Sequence, residues 1–393
     1  MSTLTRDRHP AAQAQAGSNP GRRLVALDGL RGVAAVVVLL YHLSLIARPH
    51  LETGKVGDGW WWLTETPLKL FTAGTESVLV FFVLSGLVVA LPAFRSGFDW
   101  VGFLSGRMLR LYLPVWASLA FATVLIHVFP RALTVVTDGA WITRANARST
   151  PLAQLVSEAS LMRVSYDVDN VLWSLRWEII FSLALPLFVG LAALVRRQWA
   201  LAAALALAVS VIGRVLQVDA LVYLPVFFLG TLMAARIDSL VDWARARRAR
   251  VWPWVLAASL ATLVLSWLAR GIVPAGTTGS AVLWGLAAAG AAGIILCAIG
   301  WRGMDKVLSA RVPHWLGKVS FSLYLVHVPV IATLAFALGD ANWWLVAVIG
   351  IPLSLLVAWG FHAAIEKPSH RLARFTGRAI GGRLAALRVS QPA

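Results

Sequence analysis

The chain has 393 residues, 59% of them hydrophobic and only 13% charged, with a mean hydropathy of +0.75. That excludes an ordinary soluble domain, where about a quarter of residues are charged, and predicts an all-α polytopic membrane protein. The formal charge of +17 is spread over loops and tails without a separate basic domain or groove motif, so nucleic acid is not expected as a partner; the single cysteine, Cys297, excludes an intrachain disulfide and a cysteine metal cluster.

Residues 1–23 are polar and rich in Ala, Gln, Arg and Gly, and read as a disordered basic tail, with no cleaved signal peptide. Apolar runs follow near 25–46, 71–94, 111–129, 171–194, 199–213, 220–236, 252–269, 279–299, 319–338 and 343–364. They predict about ten transmembrane helices between residues 24 and 375, with a second basic tail over 376–393. Most of the 35 Lys and Arg fall on the side holding the N-terminus. The positive-inside rule therefore places both termini in the cytoplasm, in a plasma or inner membrane. The longest segment on the other side, about 130–170, contains a short helix expected over 151–163, and the first outer loop carries Trp60, Trp61 and Trp62. These read as an interfacial belt or as a stacking surface for a sugar.

The first run, LDGLRGVAAVVVLLYH, holds Asp28, Arg31 and His42. Ionisable groups in hydrocarbon are costly and are functional candidates by default. Eleven residues make almost three full turns, so Arg31 and His42 share one helical face, separated by a rise of roughly 16 Å. The second run holds Glu76, Ser77, Ser85 and Gly86; Ser85-Gly86 permits close packing or a break lining a cavity. Arg107 and Arg110 precede Pro114 at the next boundary, as a snorkelling pair or a phosphate clamp. The fourth run opens WSLRWE, with Ser174 and Glu178 on one face and Trp173 and Trp177 on the adjoining one. A buried Glu178 needs a partner, and His42 and Arg176 are the candidates. In the ninth run Ser320, Tyr324 and His327 form one polar stripe, read first as interhelical hydrogen bonding. Glu366 and Lys367 close the last run and read as an interface anchor. No nucleotide-binding glycine loop, HExxH pair or GxSxG elbow is present, and no metal is expected.

Taken in order, these segments resemble the acyltransferase 3 family of integral-membrane acyltransferases. The family's Arg-x10-His signature corresponds to Arg31 and His42, and its FFxLSG segment to Phe81, Phe82, Ser85 and Gly86. Its arginine-rich segment corresponds to Arg107, Arg110 and Pro114, with one extra residue before the proline. WSLxxE corresponds to Trp173, Ser174, Leu175 and Glu178. LGxxSxxLYLxH corresponds to Leu316, Gly317, Ser320, Leu323, Tyr324 and His327, and the terminal segment to Glu366, Lys367 and Pro368. One departure is Leu79, where many members carry an aspartate; its role is absent here or moved, with Glu76 the nearest carboxylate.

The resemblance implies an O-acyltransferase moving an acyl group, acetyl in the first instance, from cytoplasmic acyl-CoA to a hydroxyl of a cell-surface glycan, glycolipid or secreted small molecule. In that reading Arg31, Arg107 and Arg110 suit the polyanionic donor, acetyl-CoA or another acyl-CoA. His42 is the general base, with Glu178 orienting its ring. Ser85, Ser174 and Tyr324 are candidate oxyanion donors, and Trp173 and His327 are further substrate-site candidates. Arg31 lies too far along the helix to touch His42, so its role is donor binding or structural. A transporter or flippase of a lipid-linked sugar, with the same polar residues lining a permeation path, is the alternative; direct transfer and an acyl-enzyme both stay open.

Overall fold

The computed structural model describes residues 20–162 and 166–389. The expected tail over 1–23 therefore lies mostly outside the described residues, as do Arg163 and the last four residues. Among the described residues the chain is helical, without strands. The first helix, α1, runs Pro20–Leu51. It is followed by α2 (Gly74–Ala90), α3 (Trp100–Val128), α4 (Leu172–Leu194), α5 (Trp199–Leu216), α6 (Asp219–Ala235) and α7 (Ile237–Arg245). Then come α8 (Trp252–Leu263), α9 (Thr278–Gly285), α10 (Ala287–Gly300), α11 (Arg311–Leu338), α12 (Trp343–Phe361) and α13 (Lys367–Val389).

Eight helical stretches are long and apolar enough to cross a membrane, or nine if the bent pair α6–α7, which turns through 74°, counts as one span. The sequence predicts ten. The difference lies in 252–269, which is not one helix but α8 and a separate turn, Leu265–Leu268, broken at Val264. The broken segment still joins the two ends of the bundle. Its first residue, Trp252, packs against Ala244 and Gly300. Its Trp267 reaches Glu76 at the start of α2. The start of α1 and the helix α13 lie at one end: Arg31 shares a cavity with Arg107 and Arg110, and these share another with Arg374 and Arg378.

The last apolar run does not stop at 364. A π-helical turn, His362–Glu366, joins α12 to α13, and the basic segment after 376 is helical as far as Val389. A π turn re-aims the side chains that follow it and is frequent at functional sites. Here α13 packs along α3.

Two backbone approaches set the centre of the bundle. Any Cβ on Gly32 would meet the backbone of Leu316 and Gly317, so α1 and α11 touch there main chain to main chain. Gly86 of α2 and Gly230 of α6 close on each other in the same way, against Phe227 and Val83. Small residues permit such approach in membranes, where packing rather than water exclusion drives association.

The connection between α3 and α4 is folded. Its short helix is Leu152–Ala159, within the expected 151–163. The buried Glu158 accepts the backbone N–H groups of Asp167, Val168 and Asp169. Burial pushes the Asp169 carboxyl well above the usual carboxylate range, while Ser118 donates to it. The segment brings Trp141 within 5.1 Å of the His42 ring.

Candidate functional site

The polar groups scattered along the sequence meet in and around one interior cavity of about 290 Å³. Each arrives on a helix for the reason periodicity predicts, but the partners come from helices far apart in the chain. At one end, Arg31 of α1 and Arg107 and Arg110 of α3 line it. Ser85, Glu178, Ser174, Ser320 and Tyr324 line it farther along.

Arg107 donates from Nη2 to Glu178 Oε2 at 2.7 Å and from Nε to Ser182 Oγ at 2.6 Å. Ser85 Oγ donates to the same carboxylate oxygen at 2.8 Å. The side chains of Arg107 and Glu178 are 12% and 15% exposed, so this is a nearly buried, charge-assisted network. It corrects the expectation that Glu178 faces His42 or Arg176. Helical spacing gives the face of α4 that bears Glu178, and the packing of α3 beside α4 presents an arginine to that face. Arg176 instead lies over Trp177 at 5.1 Å.

His42 meets His327. The two rings are 5.0 Å apart, with His327 Nε2 3.0 Å from His42 Nδ1. Both residues are buried. The protons can be assigned from the partners, since a carbonyl only accepts. His327 Nδ1 lies 2.9 Å from the Leu323 carbonyl, so Nδ1 carries its hydrogen and Nε2 is a bare acceptor. His42 Nδ1 then donates, to His327 Nε2 and to the Val38 carbonyl, itself 3.0 Å away. That leaves His42 Nε2 with a free lone pair, the form a proton acceptor needs. His327, left open by the sequence between helix packing and a substrate-site role, thus occupies the place beside His42 expected of Glu178.

The pair connects to the cavity through Tyr324. Its ring is 6.1 Å from that of His327, and its hydroxyl is 2.6 Å from Ser174 Oγ. Trp173, beside Ser174, turns away from this contact and stacks near Tyr223, in the wall of a second cavity at the His42 end. Ser320 donates within its own helix, to the Gly317 carbonyl at 2.8 Å, rather than across helices.

Further groups lie at or beside the site that a linear reading does not place there. A wider cavity of about 580 Å³ adjoins the first through Arg107 and Arg110 and adds Arg95, Arg374 and Arg378. Glu366 is buried rather than an interface anchor; Ser322 donates to it at 2.5 Å and His362 Nδ1 lies 2.9 Å away. Glu76 is fully buried and binds the Trp267 indole N–H at 2.8 Å, with Lys69 Nζ 4.0 Å off. The only advance signals were charge in an apolar run for Glu76 and an i, i+4 pair for His362 and Glu366. Of the three loop tryptophans, Trp60 is buried beneath Arg48, whereas Trp62 is exposed. Among the described residues no group of three or more His, Cys, Asp or Glu is set to hold a metal ion.

The fold and its interior polar site define a polytopic membrane protein built around a charged cavity. The family model described as an acyltransferase domain, acyltransferase 3, matches residues 24–363. The chain belongs to that family and is a multi-pass membrane acyltransferase. Comparisons with curated proteins and with solved structures return no match.

Proposed function

We propose that the protein is an O-acyltransferase of the cell membrane. It takes an acyl group, acetyl in the simplest case, from acyl-CoA at the Arg107 end. The group passes to a hydroxyl of a glycan, glycolipid or secreted metabolite reaching the His42 end. The observation that carries this reading is the His42–His327 pair, with its free Nε2, connected through Tyr324 and Ser174 to a cavity whose opposite end is arginine-rich. The positive-inside distribution supports the Arg107 end as cytoplasmic, where acyl-CoA is made.

Coenzyme A carries several phosphate charges, and arginine's planar fork suits them. Arg110, Arg95, Arg374 and Arg378 around the wide cavity suit the nucleotide end; the narrow cavity suits the thin pantetheine arm. Arg107, neutralised by Glu178, is better read as the group that holds the passage open. At the reacting end His42 Nε2 takes the acceptor's hydroxyl proton. The oxygen attacks the thioester carbonyl, the carbon–sulfur bond breaks, and the proton returns to the departing thiolate. His327 stabilises the imidazolium by accepting from its Nδ1–H. Tyr324 and Ser174 are the hydroxyl donors proposed for the oxyanion.

The test compares wild type, His42→Ala and Arg31→Ala in membranes at matched protein levels, following transfer of radiolabelled acetyl from acetyl-CoA into envelope material. His42→Ala should lose transfer while still binding acetyl-CoA, and Arg31→Ala should weaken donor binding. Near-normal turnover in His42→Ala removes the proposed base. Substrate movement without saturable acetyl-CoA binding favours transport instead.

A further inference from the structure

The side of the chain poor in basic residues nonetheless gathers two arginines at one place. Arg214 ends α5 and Arg270 follows the broken segment, and both line a cavity of about 570 Å³ at the His42 end, with Trp173, Trp267, Trp284 and Tyr41 in its wall. The Arg214 guanidinium lies over the Trp284 ring, 4.4 Å from its centroid, and that of Arg270 over Trp267 at 3.5 Å. Neither arginine makes an ion pair within 4.0 Å among the described residues. One carboxylate, Asp219, lines the same cavity, and Glu65, Glu76 and Glu52 act on Arg270 from behind its wall without pairing with it.

A guanidinium stacked by its face keeps its in-plane N–H donors available for an anion. The wall behind it is rigid. Trp267 is tied by its indole N–H to the fully buried Glu76, and Lys69 Nζ lies 3.8 Å from its ring centroid. An aromatic wall carrying fork-shaped cations suits a ring that bears hydroxyls and an acidic group. Tyr41 connects the cavity to the reacting end: it lines the wall, and its ring meets that of His42 edge-on at 5.2 Å.

We infer that this cavity binds the acceptor, and that the acceptor is an anionic sugar, its carboxylate or phosphate ester held by Arg214 and Arg270 and its ring lying against the aromatic wall. The inference rests on the acyltransferase reading for the word acceptor; the binding itself does not depend on it.

The test uses the full chain in phosphatidylcholine nanodiscs and ligand-observed NMR with three probes: methyl β-D-glucuronide, glucose 1-phosphate and methyl β-D-glucoside. At least one anionic probe should bind at least about tenfold tighter than the neutral glucoside, the value of a charge-assisted bond. The tighter of the two names the acidic group. In the Arg214→Gln/Arg270→Gln variant that preference should vanish while acetyl-CoA binding is unchanged, which also reports a folded protein. Equal binding of the neutral glucoside overturns the inference, as does an anionic preference that survives in the double variant. Displacement of the probe by acetyl-CoA puts the binding at the donor arginines and overturns it too. So does loss of probe binding on adding phosphatidylglycerol to the disc, which makes the site a lipid headgroup site. Anion binding at these arginines without acetyl transfer would leave the site standing and remove the acyltransferase reading alone.

Discussion

Replacing His327 by alanine separates an orienting histidine from a packing one. In the resting protein His42 Nδ1–H has two acceptors, His327 Nε2 and the Val38 carbonyl, each at 3.0 Å. The variant keeps the second, so the tautomer that frees Nε2 survives. What disappears is a bond to the imidazolium formed during the reaction, and a hydrogen bond to a charged group is worth about 1.5–3 kcal/mol. At about 1.4 kcal/mol per factor of ten, turnover should fall roughly 10- to 150-fold. Removing a general base outright costs about 10²- to 10⁴-fold, so His42→Ala should be the slower variant. The double variant should be no slower than His42→Ala alone, because the two residues act as one unit. The assay is transfer of labelled acetyl from acetyl-CoA by membranes, with donor KM measured alongside; KM should hold, since nothing at the Arg107 end is touched. His327→Gln, which retains an acceptor oxygen, should recover part of the loss. An unchanged rate in His327→Ala, or multiplicative losses in the double variant, refutes the coupling.

Three further outcomes are expected. Glu178→Gln leaves the Arg107 guanidinium nearly buried without its counter-ion, a change of about 3–5 kcal/mol; the melting temperature in detergent should drop clearly, and more than in Ser182→Ala. Gly32→Ala drives a methyl into the backbone of Leu316 and Gly317, and overpacking of this kind costs about 1–3 kcal/mol or more, read as a lower melting temperature and poor recovery of folded protein. Burial lowers Lys69 to about 8 from an ordinary 10.5. The unfolded chain therefore binds more protons between those values, and the Lys69 contribution to stability is full above about 10.5 and lost as pH falls through 8. Melting of wild type relative to Lys69→Met should accordingly rise as pH goes from 8 toward 10.5; a flat or falling difference contradicts the buried position of the amine.

How far the site was legible is seen by following particular side chains. Arg31 and His42 share a face because three turns of helix nearly fit eleven residues, and both do project into the interior. Ser85, Arg107 and Glu178 each stood out as polar groups in or beside apolar runs. That they form one hydrogen-bonded set could not be read, because periodicity gives the face of each helix and not which neighbour that face meets. The same limit hid His327: it lies 285 residues from its partner His42. Arg378 lies in the basic tail expected over 376–393, a segment too polar to count as a span, yet the π turn carries the helix on and sets Arg374 and Arg378 beside Arg110.

The amino-acid sequence by itself determined that the chain is helical and membrane-embedded, which segments are apolar, and which few ionisable groups they hold. Those properties are local: transfer of each segment into hydrocarbon depends on its own side chains and its own backbone hydrogen bonds. Only the tertiary structure decided that 252–269 breaks into two pieces, that Glu178 belongs to Arg107, and that His42 is paired with a second histidine. In lipid every helix face is tolerably solvated, so the pairings rest on close contacts such as Gly32 with Gly317 and Gly86 with Gly230, where a single methyl group decides whether two helices meet.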